Sequence, residues 1–433
     1  MLSSRLPKDL SPSPFFAELE RSKADVLAEC ANSDALPFID MTVSSPVKAG
    51  LPVDLDDAVD EGRKAFGNWS PDAAGWKSAR EAVVEYYRQR GGNFTAGQII
   101  LTASTSEAYS VLFKTFCDPG DVILTPMPGY PLLDTLAQLE HLECAPYFLK
   151  IRRENARRRA TDERRESAKF RFVLDSDSLL AAPEHAKILL LVSPHNPTGH
   201  CISREEWNEA VRFCEENNMI LVVDEVFGDY AFTDKVSRTW QYVFAPCHPE
   251  RNEVESKNLW DAGGGDFINL PEDGPKCPIF WLNGLSKAVG SPQLKLGWMA
   301  FYAPRENFEE IRAALEFVED AYLSVSAPAQ ALGASLLKHS EAYESKVLDR
   351  LQQNWQTLRE AFPSKYCPEV LGGWYAVVRL GEDDEELTLR LLREKHVLVQ
   401  PGFFFDFDED GWVVMSLLQD PAIFKEAIER IIK

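Results

Sequence analysis

The stretch Ile279-Phe280-Trp281-Leu282-Asn283-Gly284-Leu285-Ser286-Lys287-Ala288-Val289-Gly290 reads as an apolar strand, a turn of small residues, then a single lysine. A lysine emerging there can form a Schiff base with an aldehyde, provided burial or a neighbouring cation lowers its pKa. Lysines that follow strands are common. The weight therefore comes from two upstream segments, Ser193-Pro194-His195-Asn196-Pro197-Thr198-Gly199 and Val222-Val223-Asp224-Glu225. Asp224 ends an apolar strand, where a carboxylate can face the crevice at the carboxyl edge of a sheet. The structural alternative is an ordinary helix cap. Asn196 lies 28 residues before Asp224 and Lys287 lies 63 after it.

Working outward from this stretch, short apolar strands alternate with amphipathic helices between about residues 97 and 300. The strands include Ile99–Thr102, Val122–Thr125, Ile188–Val192, Ile220–Asp224 and Ile279–Leu282. This alternation predicts an α/β fold with a mostly parallel central sheet covered by helices. Upstream, residues 14–30 have helical periodicity, 37–42 read as extended, and 72–90 as a helix burying Ala79, Ala82, Val83, Tyr86 and Tyr87. Downstream, helical patterns at about 305–360 lead into a smaller α+β C-terminal part. There Trp374–Leu380 and Val397–Val399 read as strands and Pro421–Ile432 as a closing helix. Arg152–Arg171 and Cys247–Gly274 break the alternation and read as surface insertions.

A chain of 433 residues suits a large domain plus a smaller one. Its 45% hydrophobic and 11% aromatic content is ordinary for a soluble enzyme, and no apolar run is long enough to span a membrane. The N-terminus lacks the apolar core of a signal peptide. The eight cysteines are scattered without a CxxC pair, which suits reduced thiols in a cytoplasm and small core residues rather than metal ligands. A net charge of −22 argues against nucleic acid or an anionic membrane as the main partner.

In order and spacing, these segments resemble the core of the class I/II aminotransferases, the aspartate-aminotransferase-like family of fold type I enzymes that use pyridoxal 5′-phosphate (PLP). The resemblance runs from about residue 35 to the C-terminus. It implies an N-terminal segment (1–50) packing with the small domain, a large PLP-binding domain (51–320) and a C-terminal small domain (321–433). It also implies amino transfer between an amino acid or amine and a keto acid, in a homodimer whose site lies at the subunit interface. Carried over residue by residue, Lys287 forms the imine and moves the proton, and Asp224 faces the pyridine nitrogen. Asn196 donates to the phenolic oxygen and Tyr130, in Pro128-Gly129-Tyr130-Pro131, stacks on the ring. Ser104, Thr105 and Ser106 open a helix whose free N–H groups suit a phosphate, and Lys295 adds a charge. Trp69 reaches the phosphate from the partner subunit, while Ser44, Ser45 and Trp374 contact substrate. The structural alternatives are a turn-forming Asn-Pro, a Ser/Thr cap and a turn aromatic.

Four positions depart from the family pattern. Lys295 and Val414 stand where arginines are usual, and Phe227 and Trp69 where tyrosines are usual. Lys295 keeps the charge and loses the fork. Phe227 leaves Asn196 as the main donor to the phenolic oxygen. Val414 cannot clamp a substrate carboxylate, so either another cation such as Arg379 replaces it or the substrate has no conventional α-carboxylate. A surface strand end is the alternative for Arg379. Trp374-Tyr375 and Phe403-Phe404-Phe405 point to an apolar side-chain pocket, or simply to core. Two other functions stand beside amino transfer: a lyase, decarboxylase or cyclising enzyme of the same fold, and a PLP-binding protein without catalysis.

Overall fold

A computed structural model describes residues 3, 5–7, 9–31, 36–154, 169–233, 236–244 and 274–433. The strands are β1 (Ile39–Asp40), β2 (Ile99–Thr102), β3 (Val122–Met127), β4 (Glu143–Glu154), β5 (Lys169–Leu174), β6 (Ala186–Val192), β7 (Ile220–Asp224), β8 (Ile279–Gly284), β9 (Gly297–Tyr302), β10 (Tyr375–Arg379), β11 (Val397–Leu398), β12 (Gln400–Pro401) and β13 (Trp412–Ser416). Eight of them form the central sheet in the order β2-β9-β8-β7-β6-β3-β4-β5. Only β9 and β5 run against the other strands of that sheet.

The inner strands are mostly apolar because both faces are covered. Leu189, Leu191, Leu221, Val223 and Trp281 pack on one side. Ile188, Leu190, Val222, Phe280 and Leu282 pack on the other. Each fully buried aliphatic side chain of this kind contributes about 1.5–3 kcal/mol. The first four helices are α1 (Pro14–Cys30), α2 (Asp56–Ala65), α3 (Lys77–Gln89) and α4 (Thr105–Phe116). Ala79, Val83, Tyr86 and Tyr87 of α3 cover the first face, and Ala108, Val111, Leu112 and Phe113 of α4 cover the second.

A three-stranded antiparallel sheet, β10-β13-β12, forms the C-terminal part. The N-terminal segment joins it. β1 pairs in parallel with β11 through Ile39↔Val397 and Asp40↔Leu398, and Ser416 N donates to Met41 O (2.7 Å). Phe15, Leu19 and Val26 of α1 share a core with Leu392 and Leu398.

The α/β expectation holds, with local corrections. The helix read over 72–90 begins only at Lys77. Residues 72–76 are drawn elsewhere: Asp72 N donates to Ser324 Oγ (2.8 Å) and Leu101 N to Ala74 O (2.9 Å), while Gly75 takes a φ of 85°. The helical pattern at 305–360 is three helices, Phe308–Tyr322, Ala327–Leu337 and Ser340–Ala361. The basic run is a loop insertion only in part. Arg152 and Arg153 pair with Arg171 and Phe170 across the β4–β5 hairpin, and 155–168 lie outside the described residues. So does nearly all of the second insertion, apart from Gly274.

Candidate active site

The three segments singled out in the sequence converge at the carboxyl edge of adjacent strands. β6 delivers Asn196, β7 ends at Asp224, and β8 leads through Gly284 into Lys287. Lys287 and Asp224 are both half-buried, in contact with the crevice rather than sealed in the core. Burial lowers the Lys287 ammonium pKa to about 8, although Asp224 pulls it the other way. Burial raises the Asp224 carboxyl, opposed by a hydrogen bond from Tyr109, by the Val226 N–H and by the charge of Lys287. Tyr109 Oη donates to Asp224 Oδ2 at 2.6 Å and Val226 N to Oδ1 at 3.0 Å.

Aromatic rings wall the lysine. Its Nζ lies 4.5 Å from the centroid of Trp374 and 5.3 Å from that of Phe227. The two rings meet at 5.4 Å, and Phe227 meets Tyr375 edge-on at 5.9 Å. Tyr375 in turn is hydrogen-bonded to Ser44 and lies close to Tyr130. Tyr230 packs on Trp374 (5.2 Å) and its Oη donates to the backbone carbonyl of Lys287 at 2.6 Å.

A charged network fixes the strand that carries the lysine. Asn283 Nδ2 donates to Tyr86 Oη (3.1 Å), which donates to Asp229 Oδ2 (2.6 Å). Arg90 Nε donates to Asp229 Oδ1 (2.8 Å), and Arg238 pairs with the same oxygen. Burial alone would raise the Asp229 carboxyl; Arg238 and Arg90 instead hold it below the usual range.

The start of α4 closes on this strand. Ser104 caps it, its Oγ accepting from Glu107 N (3.2 Å), which leaves the N–H groups of Thr105 and Ser106 without a partner among the described residues. Two glycines permit the approach. Gly284 faces Gly297 across β8 and β9. A Cβ on Gly297 would stand 3.1 Å from Ser104 C, 3.2 Å from Asn283 O and 3.2 Å from Thr102 Oγ1. Lys295, two residues before, is exposed in the left-handed region (φ 52°) with no ion pair among the described residues.

These features accept PLP. The half-buried Asn196 makes no hydrogen bond among the described residues, and its buried Oδ1 is unsatisfied. Among the described residues Asp224 has no cationic neighbour but Lys287, so its carboxylate could take a pyridinium. The first turn of α4 offers N–H groups and hydroxyls suited to a phosphate.

Not every expected residue joins the cluster. Trp69 is 75% exposed on the segment after α2. Tyr130 is 47% exposed, held by Gly129 N donating to Phe405 O (2.8 Å). Ser45 Oγ accepts from Lys48 N at 3.5 Å and serves a local turn. Arg379 pairs with Glu409 at the surface and does not replace the missing arginine. Two neighbours of the site were not anticipated, Tyr109 and Tyr230. In sequence each is one more apolar-face aromatic; only the strand-then-helix position of Tyr109, four residues after Thr105, hints at its role.

The family profile described as "Aminotransferase class I and II" matches residues 54–431. Among curated relatives, a tyrosine aminotransferase of Caenorhabditis elegans is 22% identical over 348 residues, covering 78% of this chain and 65% of that protein. The glutamate-pyruvate aminotransferase of Haemophilus influenzae is 24% identical, covering 83% of this chain and 81% of that one. Among solved structures, an aspartate aminotransferase of Thermotoga maritima aligns over 100% of this chain and 99% of its own with a TM-score of 0.74 at 18% identity. An alanine aminotransferase of Pyrococcus furiosus aligns over 98% of both chains with a TM-score of 0.72 at 21% identity.

Proposed function

The chain belongs to the class I and II aminotransferases, and on that footing we propose that it moves an amino group from a donor to a carbonyl acceptor, with PLP as cofactor and Lys287 as the proton carrier. PLP supplies an aldehyde that takes up the donor nitrogen and a ring that withdraws electrons from the donor carbon. Asp224, at the end of β7, holds a proton on the ring nitrogen. Tyr109 orients that carboxylate and favours its ionised form through its 2.6 Å hydrogen bond. Asn196 would donate to the ring oxygen, Tyr130 would stack on the ring, and Ser104, Thr105, Ser106 and Lys295 would hold the phosphate. Lys287 removes the proton from the donor carbon and returns it at the cofactor, work suited to an amine of pKa near neutrality. Its value of about 8 leaves a useful fraction unprotonated at neutral pH. Ser44 and Trp374 meet the substrate, Ser44 through Tyr375 and Trp374 through its contact with the lysine; Ser45 supports their turn.

The observation that supports this reading is the placement of Lys287 and Asp224 at the carboxyl edge of neighbouring strands, each the only charged group acting on the other among the described residues. Lys287→Ala should abolish turnover while PLP still binds non-covalently. Borohydride reduction of the wild type should leave the cofactor's mass on the peptide carrying Lys287, and the variant should carry none. A variant that turns over would end the assignment.

We further propose a homodimer, with Trp69 entering the partner's site. Phe66, Trp69, Tyr322 and Leu323 are exposed at 79%, 75%, 51% and 66%, and Asp72 N donates to Ser324 Oγ, which brings the two segments together.

A further inference from the structure

We propose that the amino donor of this enzyme is a primary amine without an α-carboxylate, its carbon skeleton seated against Trp374, Phe227, Tyr375 and Val414. The proposal deepens the amino-transfer reading and rests on it. Its ground is the wall opposite Lys287. In the β10–β13 ladder Tyr375, Val377 and Arg379 lie opposite Ser416, Val414 and Trp412. Residues paired in this way project to one face, so Val414 shares the face of Tyr375, whose ring touches Phe227. Val377 and Val414 are fully buried there. Among the described residues of this ladder the only cation on that face is Arg379, at its far end, and Glu409 takes its guanidinium.

The charges agree with the geometry. Among the described residues Asp224 is the sole charged group that acts on Lys287, and Lys287 the sole one that acts on Asp224. Once Lys287 is committed to the cofactor, a carboxylate on the donor carbon would meet rings, valines and an aspartate. An ionised carboxylate is costly to bury without a partner. The aromatic wall instead suits a hydrocarbon or aryl group. Trp374 adds one polar handle: its Nε1–H is buried with no hydrogen-bond partner among the described residues, able to donate to a neutral oxygen of the ligand.

The chemistry closes with no further reagent than water. The donor carbon loses its C–H proton to Lys287 and is oxidised by two electrons. Lys287 would return that proton to the cofactor, which is reduced by the same two electrons; water would then cleave the donor C–N bond, its oxygen leaving on the aldehyde or ketone while the nitrogen stays on the cofactor.

The test is a matched pair on the PLP-loaded enzyme, 2-phenylethylamine against phenylalanine, which differ only in the carboxylate. Dissociation constants come from calorimetry and quenching of tryptophan fluorescence, and conversion of the cofactor from its visible band. The amine should bind at least about thirty-fold more tightly, the range expected when a charged group loses its hydrogen-bond partner. Equal or tighter binding of phenylalanine overturns the proposal, whether the rescuing cation comes from this chain or from a second subunit. Tighter amine binding with no conversion by any amine or amino acid would uphold the ligand class and sink amino transfer. Val414→Arg should narrow the preference at least about ten-fold; if that variant fails to fold, the wild-type pair remains decisive.

Discussion

At the scale of single residues, the site depends on how the chain tunes one amine and one carboxylate. Tyr109→Phe removes the hydrogen bond that counteracts burial at Asp224, so the carboxyl pKa should rise further. Activity needs the carboxylate, and its fraction falls as pH drops through that pKa. The acidic limb of kcat against pH should therefore move to higher pH, with kcat at neutral pH falling by about ten-fold, the value of a hydrogen bond to a charged group. An unchanged acidic limb would show that Tyr109 merely packs. Lys287 makes the opposite case in the cofactor-free protein. Its folded pKa of about 8 lies below its ordinary 10.5. Below pH 8 the folded state bears the full penalty of a buried ammonium, between 8 and 10.5 the unfolded chain binds more protons, and above 10.5 the penalty is gone. Lys287→Met should therefore stabilise the cofactor-free protein by about 2–3 kcal/mol at pH 6, with the gain shrinking across pH 8 to 10.5. Urea melts at several pH values would check it. A constant difference would mean that burial is not what shifts the lysine.

At the scale of elements, the site is the meeting of three strand ends with one helix start, and Gly297 sets how near they come. A Cβ there would press on Ser104, Asn283 and Thr102, two of the three contacts being backbone. Gly297→Ala should lower the melting temperature, cost about 1–3 kcal/mol as over-packing does, and weaken PLP binding by pushing back the N-terminus of α4. Unaltered PLP affinity would separate α4 from the phosphate. The same elements show what a sequence can disclose. β6, β7 and β8 were legible because burial on both faces writes a nearly unbroken apolar run, and Lys287, Asp224 and Asn196 stood out as candidates because Asp224 ends such a run and the other two follow one within a few residues. β4 was not: at the sheet's margin it alternates Lys150 and Arg152 with Leu149 and Ile151, a pattern without a helix or core signal. β1 and β11, two residues each, fall within the segments 37–42 and Val397–Val399 that read as extended, but their pairing with each other, between residues far apart in the chain, leaves no mark in the sequence. Tyr109 and Tyr230 escaped for a related reason, since their hydroxyls act across the fold and their rings look like core.

At the scale of the whole molecule, the pairing of β1 with β11 and of α1 with Leu392 and Leu398 ties the first 40 or so residues to the C-terminal part. We accordingly propose the division into an N-terminal segment to residue 50, a large domain to 320 and a small one beyond. The crevice holding Lys287 then lies between the two sheets, since Trp374 and Tyr375 come from the second and Asp224 and Lys287 from the first. Assembly bears on the same crevice. A surface that exposes Phe66, Trp69 and Leu323 together is costly to leave in water, and a second copy of this chain is the occupant we propose. Two chains of 48.8 kDa give 97.6 kDa, the mass that sedimentation equilibrium should report at micromolar concentration. Trp69→Asp should weaken association by about 2 kcal/mol or more, as loss of a central aromatic anchor does, and should reduce PLP affinity in step with the dimer fraction. If the variant stays dimeric yet loses PLP, Trp69 reaches the site without holding the interface. A wild-type protein that sediments at the mass of one chain would remove both the dimer and the role of Trp69 in it, and would leave Lys295 and the first turn of α4 alone to hold the phosphate.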